Sequence, residues 1–107
     1  MLHLALQTAK EAIIHNPNID SLYFLAANIL GQQNNVKQSE EHFKHAISLN
    51  PTVAVYQYNL AVLYHRNQMF PQAKEHYKQV LFLDPQHKGA MKQLESLKSQ
   101  STKSKIV

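Results

Sequence analysis

The sequence predicts an all-α protein in which antiparallel helix pairs stack side by side as a superhelical solenoid. The first observation is a repeat: Pro17, Pro51 and Pro85 follow one another at intervals of 34 residues, and a fixed period of this length is typical of stacked supersecondary units. The second is that apolar residues recur between these prolines at the three- and four-residue spacing of helices. The third is that 44% of the 107 residues are hydrophobic, which fits one small domain.

Residues 1–17 correspond to the second half of one repeat. The residues that recur 34 positions later are Lys10, Ala12, Ile13, Asn16 and Pro17. Apolar residues occupy more of this helix than one stripe, so one side is expected to pack on the next helix while the other stays uncovered. Either the chain is a piece cut inside a repeat, or this face contacts another molecule. The candidates for self-association are Leu2, Leu4 and Leu6.

Residues 18–51 form the first whole repeat. Asn18 is the predicted N-cap of its first helix, and Asn34 and the asparagine after it are predicted to end that helix, since asparagine tolerates the left-handed conformation. The second helix is expected at about 37–50. Ala27 and Ala46 are small enough to let the two helices approach closely.

Residues 52–85 form the second whole repeat on the same plan. Thr52 is the predicted cap, Pro71 the first residue of the second helix, and Gln68 lies in the turn between the helices. The most informative spacing within this stretch is that of Leu60, Ala61, Tyr64, Ala73, Tyr77 and Pro85. It resembles the tetratricopeptide repeat family, with Ala61 in the place of a glycine and Gln57 where a tryptophan is usual.

Residues 86–98 are predicted to form a C-terminal capping helix. Glu95 and Lys98 stand where the repeat has a small residue and an aromatic one, and a charged outer face suits a helix that no further repeat covers. The stretch 99–107 is polar and without period, so it is predicted to be a disordered tail.

Composition argues against several classes of protein. No apolar run approaches the roughly 20 residues of a membrane span, and no secretory signal is visible, so a cytoplasmic location without a membrane partner is expected. The chain has no cysteine, two glycines and no nucleophile motif, which predicts neither an enzyme nor a cofactor. The net charge of +4 arises from five lysines and one glutamate in residues 86–107, because residues 1–85 hold six basic and six acidic groups. A nucleic-acid partner is therefore not expected.

The resemblance implies a non-catalytic function, in which the first helices of successive repeats line a concave groove that binds a peptide or helix of a partner protein. The candidate groove residues are Phe24, Asn28, Tyr58, Asn59, Val62, His65, Arg66, Lys92 and Gln93. Side-chain amides can donate to and accept from a peptide backbone, and an arginine can bind a carboxylate with two donors. Alternatively, Phe24 and Tyr58 pack on each other or on neighbouring helices.

Two other functions are weaker alternatives. Homo-oligomerisation through the uncovered face of residues 1–15 would complete the array with a second copy. A clamp for a chaperone's C-terminal carboxylate is suggested by Asn28 and Asn59, which are 31 residues apart as in clamp members of the family. Three of the five clamp groups are replaced, however, because Phe24, Gly89 and Gln93 stand at the basic positions.

The seven histidines raise the question of a metal site. The pairs at helical spacing are His42 with His45 and Glu41 with His45. No third ligand follows from the spacing, and His42 and His76 occupy equivalent positions on second helices that are expected to face outward. Solvated histidines are therefore predicted, and no metal.

Overall fold

The computed structural model describes the backbone of residues 1–106 and the side chains of residues 1–99. Within that part of the chain the secondary structure consists of six α-helices, so the predicted all-α class is confirmed. The helices are α1 (Leu2–His15), α2 (Asp20–Gln32), α3 (Val36–Leu49), α4 (Ala54–Arg66), α5 (Phe70–Leu83) and α6 (Lys88–Ile106).

The helices pack in chain order. The tightest pairs are α2 with α3 and α4 with α5, each joined by a three-residue turn, and every other helix packs on the neighbour that precedes or follows it. Sequential stacking gives an elongated molecule of 51 × 27 × 18 Å. Among the described residues, no helix combines the length and apolarity needed to cross a bilayer.

The two hairpin turns depend on a residue in the left-handed conformation. Asn34 has a φ of 62° and Gln68 a φ of 60°. In each turn the next residue closes the preceding helix: the Asn35 amide donates to the Leu30 carbonyl oxygen and the Met69 amide to that of Tyr64, both at 2.9 Å. The prediction for Asn34 is confirmed, and Gln68 adopts the same geometry although glutamine is less suited to it.

The predicted helix caps are wrong in detail. Helices α2 and α4 begin after Ile19 and Val53, and neither start has a side-chain cap hydrogen bond, so Asn18 and Thr52 are not the caps. The Thr52 hydroxyl donates to the Asn50 side-chain oxygen instead, at 3.0 Å. Pro71 is the second residue of α5, where a missing amide hydrogen also breaks no helical bond.

Helix α6 extends beyond the predicted capping helix. It runs to Ile106, over most of the stretch 99–107 for which disorder is predicted, and Val107 lies outside the described backbone. Residues 90–106 contain neither glycine nor proline, and propagation of an existing helix costs far less than nucleating one. The lack of an apolar period therefore does not end this helix.

Small residues at the hairpin interfaces allow the close packing. Ala27, Ala46, Ala61 and Ala73 are all fully buried. Ser39 is buried as well, and its hydroxyl donates to the Ala27 carbonyl oxygen at 2.6 Å, which joins α3 to α2. The helix axes can come close because none of these side chains is larger than a few atoms.

Two tyrosines of α4 bind carboxylates of the preceding hairpin. The Tyr56 hydroxyl donates to Asp20 of α2 at 2.6 Å, and the Tyr64 hydroxyl donates to Glu40 of α3 at 2.5 Å. Burial, followed by the bond to Asp20, raises the pKa of Tyr56 to about 12, and the bond from Tyr56 lowers the pKa of Asp20. These bonds fix the position of α4 relative to α2 and α3.

Candidate functional site

A concavity of about 420 Å³ opens between α2 and α4, and we call it the α2–α4 groove. Its lining residues are Ala27, Asn28, Gly31, Gln32, Phe43, Tyr58, Asn59, Val62, Leu63, Arg66 and Gln93. The buried members of this set are apolar side chains and one glycine, and they form the floor. The more exposed members are mainly polar and form the rim.

The floor is deep because α2 carries only small residues there. Ala27 and Gly31 lie one turn apart, so the concavity reaches Phe43 of α3 behind them. A Cβ atom at Gly31 would lie 3.4 Å from a Leu63 methyl carbon and 3.3 Å from the Ser39 hydroxyl oxygen. A larger residue at position 31 would therefore narrow the groove.

Two asparagines bridge the groove from one helix to the other. The Asn59 side-chain nitrogen donates to the Asn28 side-chain oxygen at 2.9 Å. This bond uses one hydrogen of Asn59 and one lone pair of Asn28, so the amide pair retains donors and acceptors for a bound molecule. A peptide backbone offers the complementary groups.

Arg66 is the one charged residue among the described side chains that line the groove. It is exposed at the C-terminal end of α4, and the part of the chain with described side chains gives it no salt bridge. The ion pair found in that part joins Lys44 to Glu40 at 3.7 Å, on α3. The Arg66 guanidinium is thus available to an external acceptor.

Six of the nine predicted groove residues do line the groove, namely Asn28, Tyr58, Asn59, Val62, Arg66 and Gln93. Phe24, His65 and Lys92 do not. Lys92 is exposed on α6, outside the lining. The sequence analysis missed Gln32 and the four floor residues, Ala27, Gly31, Phe43 and Leu63. The feature of the sequence that could have revealed the floor is the pair of small residues, Ala27 and Gly31, four positions apart on α2.

Phe24 and His65 pack within the protein. The Phe24 ring lies 4.7 Å from that of Tyr56 and 6.0 Å from that of Phe43. His65 Nδ1 lies 3.1 Å from the Tyr77 hydroxyl oxygen, and the imidazole meets the Tyr77 ring edge-on. For Phe24 this is the packing alternative, while the packing of His65 is not predicted.

Tyr58 belongs both to the groove and to the packing of α6. Its ring lies 4.7 Å from that of His87 and 5.8 Å from that of Tyr77. A Cβ atom at Gly89 would lie 2.9 Å from the Tyr58 hydroxyl oxygen, which is too close for an ordinary contact. The absence of a side chain at Gly89 therefore makes room for Tyr58.

The uncovered face of α1 exposes leucines, as predicted from the sequence. Leu2 is 41% exposed and Leu4 54%, while Leu6 is half-buried. Leu6 also lines an open concavity of about 510 Å³ on α1, to which Ile14 contributes an exposed side chain.

The histidines differ from the prediction at two positions, His42 and His76. His76 does not face solvent: it is half-buried, and its Nδ1 donates to the Gln57 side-chain oxygen at 2.7 Å. Burial, followed by the nearby Lys44 charge, lowers the pKa of His76. His42 is half-buried too, and its Nδ1 donates to the Gln38 carbonyl oxygen at 2.8 Å, while the ring of the exposed His45 stacks on that of Tyr23 at 4.0 Å. Over the described residues, no three potential ligands come together as a metal site.

Two comparisons with known proteins give matches. Family models described as tetratricopeptide repeat match residues 20–53 and 54–87, each two residues later than the predicted repeats. The sequence has no significant match among curated proteins.

Several solved structures share the fold. The first tetratricopeptide domain of Spaghetti (RPAP3), bound to an HSP90 peptide, is 18% identical with a TM-score of 0.86, covering 94% of this chain and 82% of that one. The Arabidopsis OM64 tetratricopeptide domain is also 18% identical with a TM-score of 0.86, over 92% of this chain and 82% of that one. A MamA crystal structure is 15% identical with a TM-score of 0.87, over 91% and 57%.

Proposed function

This chain belongs to the tetratricopeptide repeat family, and from that membership we propose that it is a non-catalytic interaction module. It binds an extended peptide of a partner protein in the α2–α4 groove. The observation that carries the proposal is the groove itself, which combines an apolar floor with a rim of side-chain amides and one guanidinium. Such a surface buries apolar side chains and pairs with a peptide backbone at the same time.

The Asn28–Asn59 pair supports an extended ligand. The two amides lie across the groove at 2.9 Å, on different helices. A helical ligand has its backbone groups paired internally, whereas an extended chain presents amide hydrogens and carbonyl oxygens to both sides. The remaining donors and acceptors of the asparagines suit the extended chain.

A structural neighbour supports the class of partner. The Spaghetti domain is bound to a peptide of HSP90 in its structure. A chaperone clamp is the weaker alternative for this chain, because Phe24 and Gly89 provide no charge where a clamp needs basic groups, and Tyr58 fills the space beside Gly89.

The proposal is tested with matched surface variants. The groove variant combines Asn59→Ala with Arg66→Ala, and the control combines Lys78→Ala with Gln79→Ala on the exposed side of α5. Proteins captured by the tagged wild type are identified by mass spectrometry. We expect the control to retain them and the groove variant to lose them, with both variants melting within a few degrees of the wild type. Loss by the control and retention by the groove variant would refute the proposal.

Homo-oligomerisation is a second proposal, favoured by the exposure of Leu2 and Leu4 on α1. Exposed apolar side chains on one face gain free energy when a second copy covers them. Sedimentation at increasing protein concentration is expected to show a dimer that Leu2→Glu with Leu4→Glu converts to a monomer. A wild type that stays monomeric at high concentration would end this proposal.

A further inference from the structure

We infer that the α2–α4 groove selects an internal peptide segment in which a large apolar side chain stands beside an aspartate or glutamate. The apolar side chain enters the floor, and the carboxylate binds Arg66. This inference rests on the proposed function and adds the chemical class of the ligand and the position of the recognised segment within its chain.

The floor of the groove explains why the recognised peptide carries a large apolar side chain. Ala27, Phe43 and Leu63 are buried and line the groove, and Gly31 adds no side chain to it. A void of about 150 Å³ lined by such side chains accommodates a benzene-sized group. The groove measures about 420 Å³. It therefore has room for one large apolar side chain together with the backbone that carries it.

The rim of the groove explains why the recognised peptide carries an acidic residue. Among residues 1–99, whose side chains are described, no carboxylate lines the groove and Arg66 is its single charge. An acidic ligand side chain thus meets a fork of donors without competition from a neighbouring acid. A basic ligand side chain would meet Arg66 with like charge and find no acceptor of opposite sign among the lining residues. Charge complementarity favours one acidic residue.

The asparagine pair explains how one extended peptide can place its apolar side chain and its acidic side chain at the same time. Asn28 and Asn59 span the groove on α2 and α4, and Arg66 lies seven positions after Asn59 on the same helix, two turns away and on the same side. An extended chain held by the two amides can reach both the floor and Arg66 with neighbouring side chains. A free carboxyl terminus is not required, because the guanidinium engages a side-chain carboxylate equally well.

The inference is tested by selection from two libraries of random twelve-residue peptides. In one library both peptide ends are fused to the display protein, and in the other the carboxyl end is free. The baits are the wild-type chain, Arg66→Gln, and Lys78→Gln as the control that removes a positive charge from α5. We expect the wild type and the control to enrich, from the library with both ends fused, peptides with an acidic residue within two positions of a large apolar one.

The variant Arg66→Gln is expected to lose the acidic preference and to keep the apolar one. For a synthetic peptide of the selected sequence, with a blocked carboxyl end, Arg66→Gln is expected to weaken binding about fivefold, as for an exposed ion pair. Replacing the peptide's apolar residue by alanine is expected to weaken binding roughly tenfold.

The outcomes distinguish failure of the proposed function from failure of the inference about the ligand. Failure of the wild type to enrich any peptide from either library would refute the proposed function. Enrichment without the acidic–apolar pair, enrichment that Arg66→Gln leaves unchanged, or enrichment confined to free carboxyl ends would overturn the inference and leave the proposed function standing.

Discussion

The hydrogen bond from Tyr64 to Glu40 joins the second hairpin to the first, and Tyr64→Phe removes it without changing the ring that fills the core. Tyr64 is buried, and its hydroxyl donates to the Glu40 carboxylate at 2.5 Å. A hydrogen bond to a charged group contributes about 1.5–3 kcal/mol. Because the Glu40 side chain is 27% exposed and keeps Lys44 as a second partner, the lower figure applies. We expect the free energy of unfolding to fall by about 1.5 kcal/mol.

The measurement is urea unfolding at pH 7, accompanied by thermal melting. For 107 residues the entropy of unfolding is roughly 0.2 kcal/mol/K, so the melting temperature is expected to fall by about 7 °C. Glu40→Ala, alone and combined with Tyr64→Phe, completes a double-mutant cycle in which a coupling of about 1 kcal/mol is expected.

The control is Tyr58→Phe, since the Tyr58 hydroxyl has no hydrogen-bond partner among the described side chains. It is expected to change stability by less than about 0.5 kcal/mol. A Tyr64→Phe protein as stable as the wild type, or a cycle without coupling, would refute the reasoning that this bond holds the two hairpins together.

Two further predictions concern the packing of α4 and α5. The pKa of His76 lies below its ordinary value of 6.5 in the folded protein, so the unfolded chain binds more protons as the pH falls below 6.5, and stability decreases with acidification through the folded pKa. His76→Gln is expected to flatten this dependence in unfolding measurements at several pH values, while His42→Gln at the equivalent position of the preceding repeat keeps it; an unchanged slope in His76→Gln would contradict the assignment. Ala61→Leu is expected to destabilise by about 1–3 kcal/mol, because Ala61 is fully buried and overpacking forces the hairpin helices apart. Val55→Leu, at a position 44% exposed on the same helix, is expected to leave urea unfolding nearly unchanged, and equal effects of the two changes would argue against tight packing at Ala61.

The position of a side chain at the concavity can be predicted from the sequence where it depends only on the place of the residue in the repeat. Asn28, Asn59 and Arg66 lie on the side of first helices that faces the concavity, and the 34-residue period is enough to locate that side. The prediction fails for Phe24, whose ring packs on Tyr56 of the next repeat. The period does not reveal whether a side chain on that side points into the space or lies against its neighbour.

The histidine prediction fails for a related reason. His42 and His76 hold the same position in successive repeats and both are half-buried, yet His42 Nδ1 donates to the Gln38 carbonyl oxygen of its own helix, whereas His76 Nδ1 donates to Gln57 of the neighbouring helix. The difference comes from the partner helix: Gln57 is within hydrogen-bond distance of His76, whereas the corresponding residue of α2 is Tyr23, whose hydroxyl donates to the Pro17 carbonyl oxygen. The character of a position thus depends on a residue some twenty positions away.

The sequence by itself determined the helices, the left-handed residue at Asn34 and the pairing of the helices into hairpins, because these depend on contacts between residues close together in the chain. Only the tertiary structure decided the depth of the α2–α4 groove, the bond between Asn28 and Asn59, and the freedom of Arg66 from internal ion pairs among the described side chains. These features depend on how far and at what angle one hairpin lies from the next. That distance is set by the simultaneous packing of many side chains, including the tyrosine–carboxylate bonds of α4, and no local pattern encodes it.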